Sequence, residues 1–309
     1  MNNQNGNHVR NFFLALSPLA VLLLIQYGVS VFTAEWLMVL GFSFSGKAEL
    51  TDVYQWIFSM AGREKYQFIL QLIYAIIAVF VMVFWYRSFK KKEERILITG
   101  SDVRETFQNA RDSFRGYSPF VVLGILMAST GLQVAMQYLA QGISLRFPKW
   151  LSLYTELVEN ARMRDNYITN IIFIIFALLV PVAEEIAFRG LSYGYLRRNS
   201  SFWVTNITQA LFFALFQLNP MQALISFVAG LLFGYVYGKC SNIFVPILMH
   251  IIYAISSIIT STINSMQLDA RIYFAVLLVS FLVLYFGIKL ILWSVPHVYG
   301  DTGDDTIKR

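Results

Sequence analysis

Long apolar runs, separated by short polar or charged segments, occupy most of this chain. A helix that crosses a bilayer needs about 20 mostly apolar residues. The pattern predicts eight such helices, at 12–34, 66–86, 117–141, from near 167, 202–218, 221–238, 243–262 and 272–293. The first run is longer than the core of a signal peptide and is followed by no good cleavage site, so we expect it to be retained.

The composition excludes most soluble classes of protein. Hydrophobic residues make up 57% of the chain and charged residues only 14%, against about 25% charged in an ordinary soluble domain. That is too little charge to cover a water-facing surface. The single cysteine, Cys240, excludes an intramolecular disulfide. We therefore expect an all-α, polytopic membrane helical bundle of about eight transmembrane helices.

Basic residues indicate the orientation in the membrane. With both termini in the cytoplasm, 16 Lys and Arg residues lie inside and 8 outside, which the positive-inside rule favours. The excess of basic residues thus reports topology. The sequence has no basic patch with interleaved aromatic residues, so we expect no nucleic-acid partner. We divide the chain into a two-helix membrane region with a cytoplasmic connection (1–116), a membrane core (117–294) and a cytoplasmic tail (295–309). Residues 150–165 alternate in polarity and are expected along the outer interface.

Two adjacent carboxylates interrupt the fourth run. Glu184 and Glu185 follow sixteen uncharged residues, and ionisable groups at this depth cost a few kcal/mol each. Glu185 and Arg189 are spaced i, i+4 and can pair. Glu184 points about 100° away, has no local partner and is the candidate general base. Buried structural polar groups and a proton or ion relay are the alternatives.

His250 is the histidine expected at membrane depth, in the seventh run. If the fourth and fifth runs form a hairpin that turns near residues 199–201, Glu184 and Gln217 lie at nearly the same level. The two residues and His250 then surround one cavity, although a lone histidine is more often structural. The sequence contains three histidines and no HExxH motif, so no metal site with two histidines is expected inside the membrane.

These motifs resemble those of the CPBP family of intramembrane proteases, which includes the type II CAAX prenyl endopeptidases and the bacterial Abi proteins. Residues 184–190, Glu-Glu-Ile-Ala-Phe-Arg-Gly, are similar to the EExxxR motif of that family. Residues 213–217 lie where the family has FxxxH, and residues 234–250 are similar to the approach to its last motif. The resemblance covers residues 118–294.

The resemblance implies a helical bundle with a cavity open to the cytosol. It implies that Glu184 activates water, that Glu185 pairs with Arg189 as a structural pair, and that His250 is an oxyanion donor. Two positions depart from the family pattern. Gln217 replaces the middle histidine and cannot take up a proton, and Ala254 replaces the usual asparagine, aspartate or serine. Ser257, at i+7 from His250, could compensate or could bond its own backbone.

Three functions follow as hypotheses. The first is a CPBP-type intramembrane endopeptidase, weakened by Gln217 and Ala254. The alternative is a catalytically inactive pseudoprotease that acts as a membrane binding scaffold. The third is a proton-coupled transporter. The sequence shows no broken helices in two matching halves, and this argues against a transporter. We expect the lipid bilayer and a membrane-associated peptide or protein as partners, and a bacterial cell membrane as the location. A glutamate-activated water needs no cofactor, and the participation of a divalent metal stays an open alternative.

Overall fold

The structure is a computed structural model that describes residues 2–44, 60–97, 119–150, 167–264 and 270–294. Within these ranges the chain is helical and contains no strand. The helices are α1 (Asn2–Phe44), α2 (Met60–Leu97), α3 (Pro119–Arg146), α4 (Tyr167–Glu185), a π-helical segment (Ile186–Ser192), α5 (Tyr193–Arg197), α6 (Phe202–Phe216), α7 (Pro220–Cys240), α8 (Phe244–Asn264) and α9 (Ala270–Ser294).

Each of the eight predicted apolar runs coincides with a helix, and the predicted hairpin turn lies between α5 and α6. In the described part of the chain, five helices are long and apolar enough to cross a membrane, and α6 and the Phe244–Ser257 part of α8 are shorter apolar helices. The protein is therefore an all-α, multi-pass membrane bundle. The number of crossings, eight, stays a prediction. Most of the connection after α2, residues 151–165 and the tail 295–309 lie outside the described residues.

The buried apolar residues form two clusters. One cluster joins α1, α2, α4 and α6, with Leu22, Met82 and Phe213 among its members. The other joins α3, α7, α8 and α9, with Leu132 and Phe233 among its members. Because α4 packs against α8, the two clusters meet where α4 ends, and the polar residues of the fourth run lie at this junction.

Glycines set the spacing of two helix pairs. A Cβ atom at Gly287 of α9 would collide with the backbone of Ala128 in α3. On α7, Gly230, Gly234 and Gly238 recur every fourth residue and face α6; a Cβ atom at Gly234 would meet side chains of that helix. Small residues at such spacing let helices approach closely in a membrane, where van der Waals contact drives association.

The fourth helix changes its winding directly after the two glutamates. Residues 186–192 are π-helical and fully buried. Both N-terminal helices pack here: Ser192 Oγ donates to the carbonyl of Ala15 in α1 at 2.7 Å, and a Cβ atom at Gly190 would lie 3.0 Å from the ring of Tyr86 in α2. Short π-helical stretches occur frequently at functional sites, and this one displaces Arg189 and the following residues from regular α-helical register.

Candidate active site

The end of α4 carries a buried ion pair. Glu185 and Arg189 are both 0% exposed, and Arg189 Nη1 donates to Glu185 Oε1 at 2.9 Å. The guanidinium also lies over two aromatic rings, 4.6 Å from the centroid of Phe213 and 5.5 Å from that of Phe233. Such stacking is favourable for a desolvated cation. Ion pair and rings together hold Arg189 inside the bundle.

His250 of α8 reaches both carboxylates, 65 and 66 residues away in sequence. Its Nδ1 lies 2.8 Å from Glu185 Oε1, and its Nε2 lies 3.7 Å from Glu184 Oε2. An ionised carboxylate only accepts hydrogen bonds, so Nδ1 carries the proton of the first contact. The second distance is too long for a direct hydrogen bond. Glu185 therefore orients the imidazole ring, and the opposite nitrogen faces Glu184.

Exposure divides the four groups into two pairs. The side chains of Glu184 and His250 keep 9% and 12% of their surface accessible, whereas those of Glu185 and Arg189 keep none. Glu184 and His250 can therefore meet a water or a substrate, and Glu185 and Arg189 support them from behind. The charge of Arg189 compensates that of Glu185, as a low-dielectric interior requires of a buried ion.

Aromatic rings enclose the imidazole. The centroids of Phe233, Phe213 and Tyr253 lie 5.3, 5.8 and 6.3 Å from that of His250. These rings come from three helices, α7, α6 and α8. They limit the water that reaches the site, and interactions between charges are stronger where water is scarce.

The two positions that depart from the family pattern lie one turn beyond site residues. Gln217 follows the last residue of α6, four residues after Phe213, and is half-buried. In the part of the chain that the structure describes, its side chain hydrogen-bonds neither Glu184 nor His250, so its role in the site stays a prediction. Ala254 is half-buried one turn after His250, and Ser257 Oγ donates to its carbonyl at 2.6 Å.

The residues present do not fit a metal centre. Among the described residues, no three His, Cys, Asp or Glu side chains are arranged to hold one ion. Glu185 already accepts from Arg189 and contacts His250, and an amide side chain such as that of Gln217 is a poor zinc ligand.

Some features of the site have no clear signal in the sequence. The i, i+4 spacing indicates the contact of Glu185 with Arg189, but not the contact with His250. Gln209 shares a helical face with Phe213, yet it lies fully buried between α6 and α7, where its Nε2 donates to the carbonyl of Gly230 at 2.8 Å.

Comparison with known proteins agrees with the motifs. Residues 167–256 match the family described as Type II CAAX prenyl endopeptidase Rce1-like. The chain is 24% identical over 158 residues to the Bacillus subtilis (strain 168) protein named "Putative membrane peptidase YdiL". This match takes in 50% of the chain and spans only 62% of the relative's length. No solved structure matches the chain. The matched segment contains Glu184, Glu185, Arg189, Gln217 and His250, and both matches support the similarity of this part of the chain to the CPBP/CAAX proteases.

Proposed function

We propose that this protein is an intramembrane endopeptidase in which Glu184 activates a water molecule. One observation carries the proposal: an accessible carboxylate and an accessible imidazole face each other at 3.7 Å, backed by a fully buried ion pair. A water that bridges the two groups lies beside the direct line between them. This arrangement supports the proposal, because a base and a hydrogen-bond donor that lie next to each other can both reach one reacting carbonyl group.

The reaction uses the four charged side chains in two roles. Glu184 takes a proton from the water, and the resulting hydroxide attacks the carbonyl carbon of the peptide bond. The negative charge that forms on the carbonyl oxygen is stabilised by His250 Nε2–H. When the C–N bond breaks, Glu184 returns the proton to the leaving amine. Glu185 and Arg189 keep the imidazole in place throughout.

The substrate is proposed to be a peptide segment held at or in the bilayer and brought to the site from the cytosolic side. The accessible groups are few and the surrounding rings are apolar, so an extended segment without large charged side chains fits best. We place the protein in a bacterial cell membrane, with both termini in the cytoplasm. The lipid bilayer and the peptide or protein substrate are its partners.

The test is cleavage of co-expressed membrane and peptide substrates by the protein and its Glu184→Gln variant. This substitution preserves size but removes the base, so we expect cleavage to fall by roughly 10²–10⁴-fold. Glu93→Gln is the matched control, because it makes the same change outside the apolar runs and should leave the rate unaltered. Unchanged cleavage by Glu184→Gln contradicts the proposed mechanism.

The second candidate function is a pseudoprotease scaffold, which the amide at Gln217 and the methyl group at Ala254 favour. If the site is a slow enzyme, Gln217→His together with Ala254→Asn adds a proton-competent group and a second donor and should raise the rate, since one lost oxyanion donor costs about 10²–10³-fold. If this double variant folds and its cleavage pattern equals that of its Glu184→Gln derivative, the scaffold is the better account. A cellular phenotype that survives Glu184→Gln points the same way.

A further inference from the structure

The π-helical segment at the site, residues 186–192, is held by helices from outside the family match. Both α1 and α2 pack against it, whereas the residues that match the family are 167–256. A π-helix is rare and usually short, and the same residues can also wind as an α-helix. Contacts with neighbouring helices are therefore needed to keep this winding.

Ser192, the last residue of the segment, is hydrogen-bonded to α1. Its Oγ donates to the carbonyl of Ala15 at 2.7 Å, and both residues are 0% exposed. Proline has no N–H, so Pro18 leaves the carbonyl of Leu14 without its helical donor, and Ser17 Oγ donates to it instead at 2.6 Å. Ser192 bonds the next carbonyl along. At this interruption, serine side chains thus complete the hydrogen bonding of α1.

The second N-terminal helix, α2, contacts the same stretch at two glycines. A Cβ atom would lie 3.0 Å from the ring of Tyr86 if it were added at Gly190, and 2.8 Å from the ring of Phe89 if it were added at Gly194. A π-helical turn takes up one residue more than an α-helical turn. Rewinding the segment as an α-helix would therefore shift the residues that follow, and it would separate Ser192 from α1.

We propose that Ser192 is a positioning residue, whose hydrogen bond to α1 keeps the segment π-helical and thereby orients the imidazole ring of His250. This inference rests on the proposed function and adds α1 to the parts that position the site. Three residues before Ser192, Arg189 donates to Glu185 at 2.9 Å. Glu185 in turn contacts His250 Nδ1 at 2.8 Å. A displacement of the segment is therefore passed to the imidazole ring.

A positioning role predicts a specific kinetic effect. Ser192 does not hold the substrate, so Ser192→Ala should lower kcat and leave KM unchanged. A displacement of about 1 Å at a reacting group costs up to about 10²-fold, and we expect a loss of roughly 10-fold. Ser192→Cys keeps a side chain of similar size with a weaker donor. Its kcat should lie between those of the parent and Ser192→Ala.

Ser280 provides the matched control. It lies on α9, is 5% exposed, and its Oγ donates to the carbonyl of Leu277 at 2.7 Å, within its own helix. Ser280→Ala therefore removes a buried hydroxyl group with an equally short hydrogen bond that joins no two helices. The melting temperature should fall by a similar amount in Ser280→Ala and Ser192→Ala. Ser280→Ala should leave kcat and KM unaltered.

A spectroscopic measurement makes the test independent of turnover. The sequence contains three histidines, so ¹⁵N labelling of histidine gives few imidazole signals in the NMR spectrum. The Nδ1 signal of His250 is assigned as the one that disappears in His250→Gln. Ser192→Ala should shift this signal, because the contact of Nδ1 with Glu185 changes, and Ser280→Ala should not. The full-length protein in detergent, without substrate, is sufficient.

The outcomes separate the two proposals. A lower kcat with unchanged KM and a shifted His250 signal, graded from Ser192→Cys to Ser192→Ala and absent in Ser280→Ala, supports the inference. If the His250 signal stays in place in both Ser192 variants, the hydrogen bond to α1 serves stability alone and the inference is wrong, whatever the melting temperature. If the parent cleaves nothing, the peptidase proposal fails, and the His250 signal alone decides whether α1 orients the imidazole ring.

Discussion

Arg189 places a full charge where water cannot reach it. Its Nη1 donates to Glu185, whereas its Nε and Nη2 have no hydrogen-bond partner among the described residues. The faces of Phe213 and Phe233 lie within cation–π distance of the guanidinium. A buried pair of this kind stabilises little by itself, but removal of one member leaves the other uncompensated. Its main contribution here is to fix Glu185, and through it the ring of His250.

We therefore expect Arg189→Ala to destabilise the protein by about 3–5 kcal/mol, since it strips the compensating charge from a fully buried carboxylate. The measurement is the free energy of unfolding in detergent, or the yield of folded protein. Lys289→Ala is the control, because this lysine is exposed on α9, where it lies near the ring of Tyr285. If the two variants are equally stable, Glu185 and Arg189 are not a structural pair.

At the scale of a helix, α7 shows how local sequence sets a close contact. Asn219 caps its first turn by accepting from the N–H of Gln222 at 3.1 Å, and Pro220 occupies the first helical position, where its missing N–H has no cost. Three glycines then face α6. The contact brings Phe233, between two of them, against the site from one side, while Phe213 of α6 reaches it from the other.

Replacement of one glycine in this contact should destabilise the bundle. The added Cβ atom of Gly234→Ala meets the side chains of Asn206 and Gln209, and overpacking of this kind costs about 1–3 kcal/mol. Gly28→Ala is the matched control: Gly28 lies within α1, and a Cβ atom there meets nothing within 4 Å. Because alanine favours a helix, this variant should be as stable as the parent or more stable. Thermal unfolding of both in the same detergent is the measurement; equal melting temperatures contradict the close-packing argument.

The sequence predicts the helices because long apolar runs are enough to indicate them. The i, i+4 spacing is likewise enough to predict the contact of Arg189 with Glu185. The π-helical winding of residues 186–192 could not be predicted from the sequence, since α-helix and π-helix use the same apolar residues. The contact of His250 with Glu185 depends on how α8 is rotated against α4, which spacing along one helix does not report.

At the scale of the whole molecule, contacts between helices show which helix ends lie together at one end of the bundle. Tyr86 lies against Gly190, and Phe89 against Gly194, so α2 and the fourth run pass through the bundle in the same direction. Arg198, at the turn after α5, lies over the ring of Phe89 at 5.0 Å. The start of α1 is at this end too, because His8 and Asn199 line one cavity. The N-terminal part of α1, the end of α2 and the hairpin turn thus share one end.

That shared end is rich in basic residues, among them Lys90, Lys91, Lys92, Arg197 and Arg198. Segments rich in Lys and Arg stay in the cytoplasm, so we predict that the active site opens from the cytosolic end and that both termini lie there. Single cysteines on a Cys240→Ser background test this with a membrane-impermeant thiol reagent. Lys92→Cys should react only from the cytosolic side, and Arg146→Cys, exposed at the far end of α3, only from the outside. Cys240 is buried, and its replacement removes the remaining background. Labelling of Lys92→Cys from the outside in intact cells contradicts the predicted orientation. The substrate must then reach Glu184 from the extracytoplasmic face.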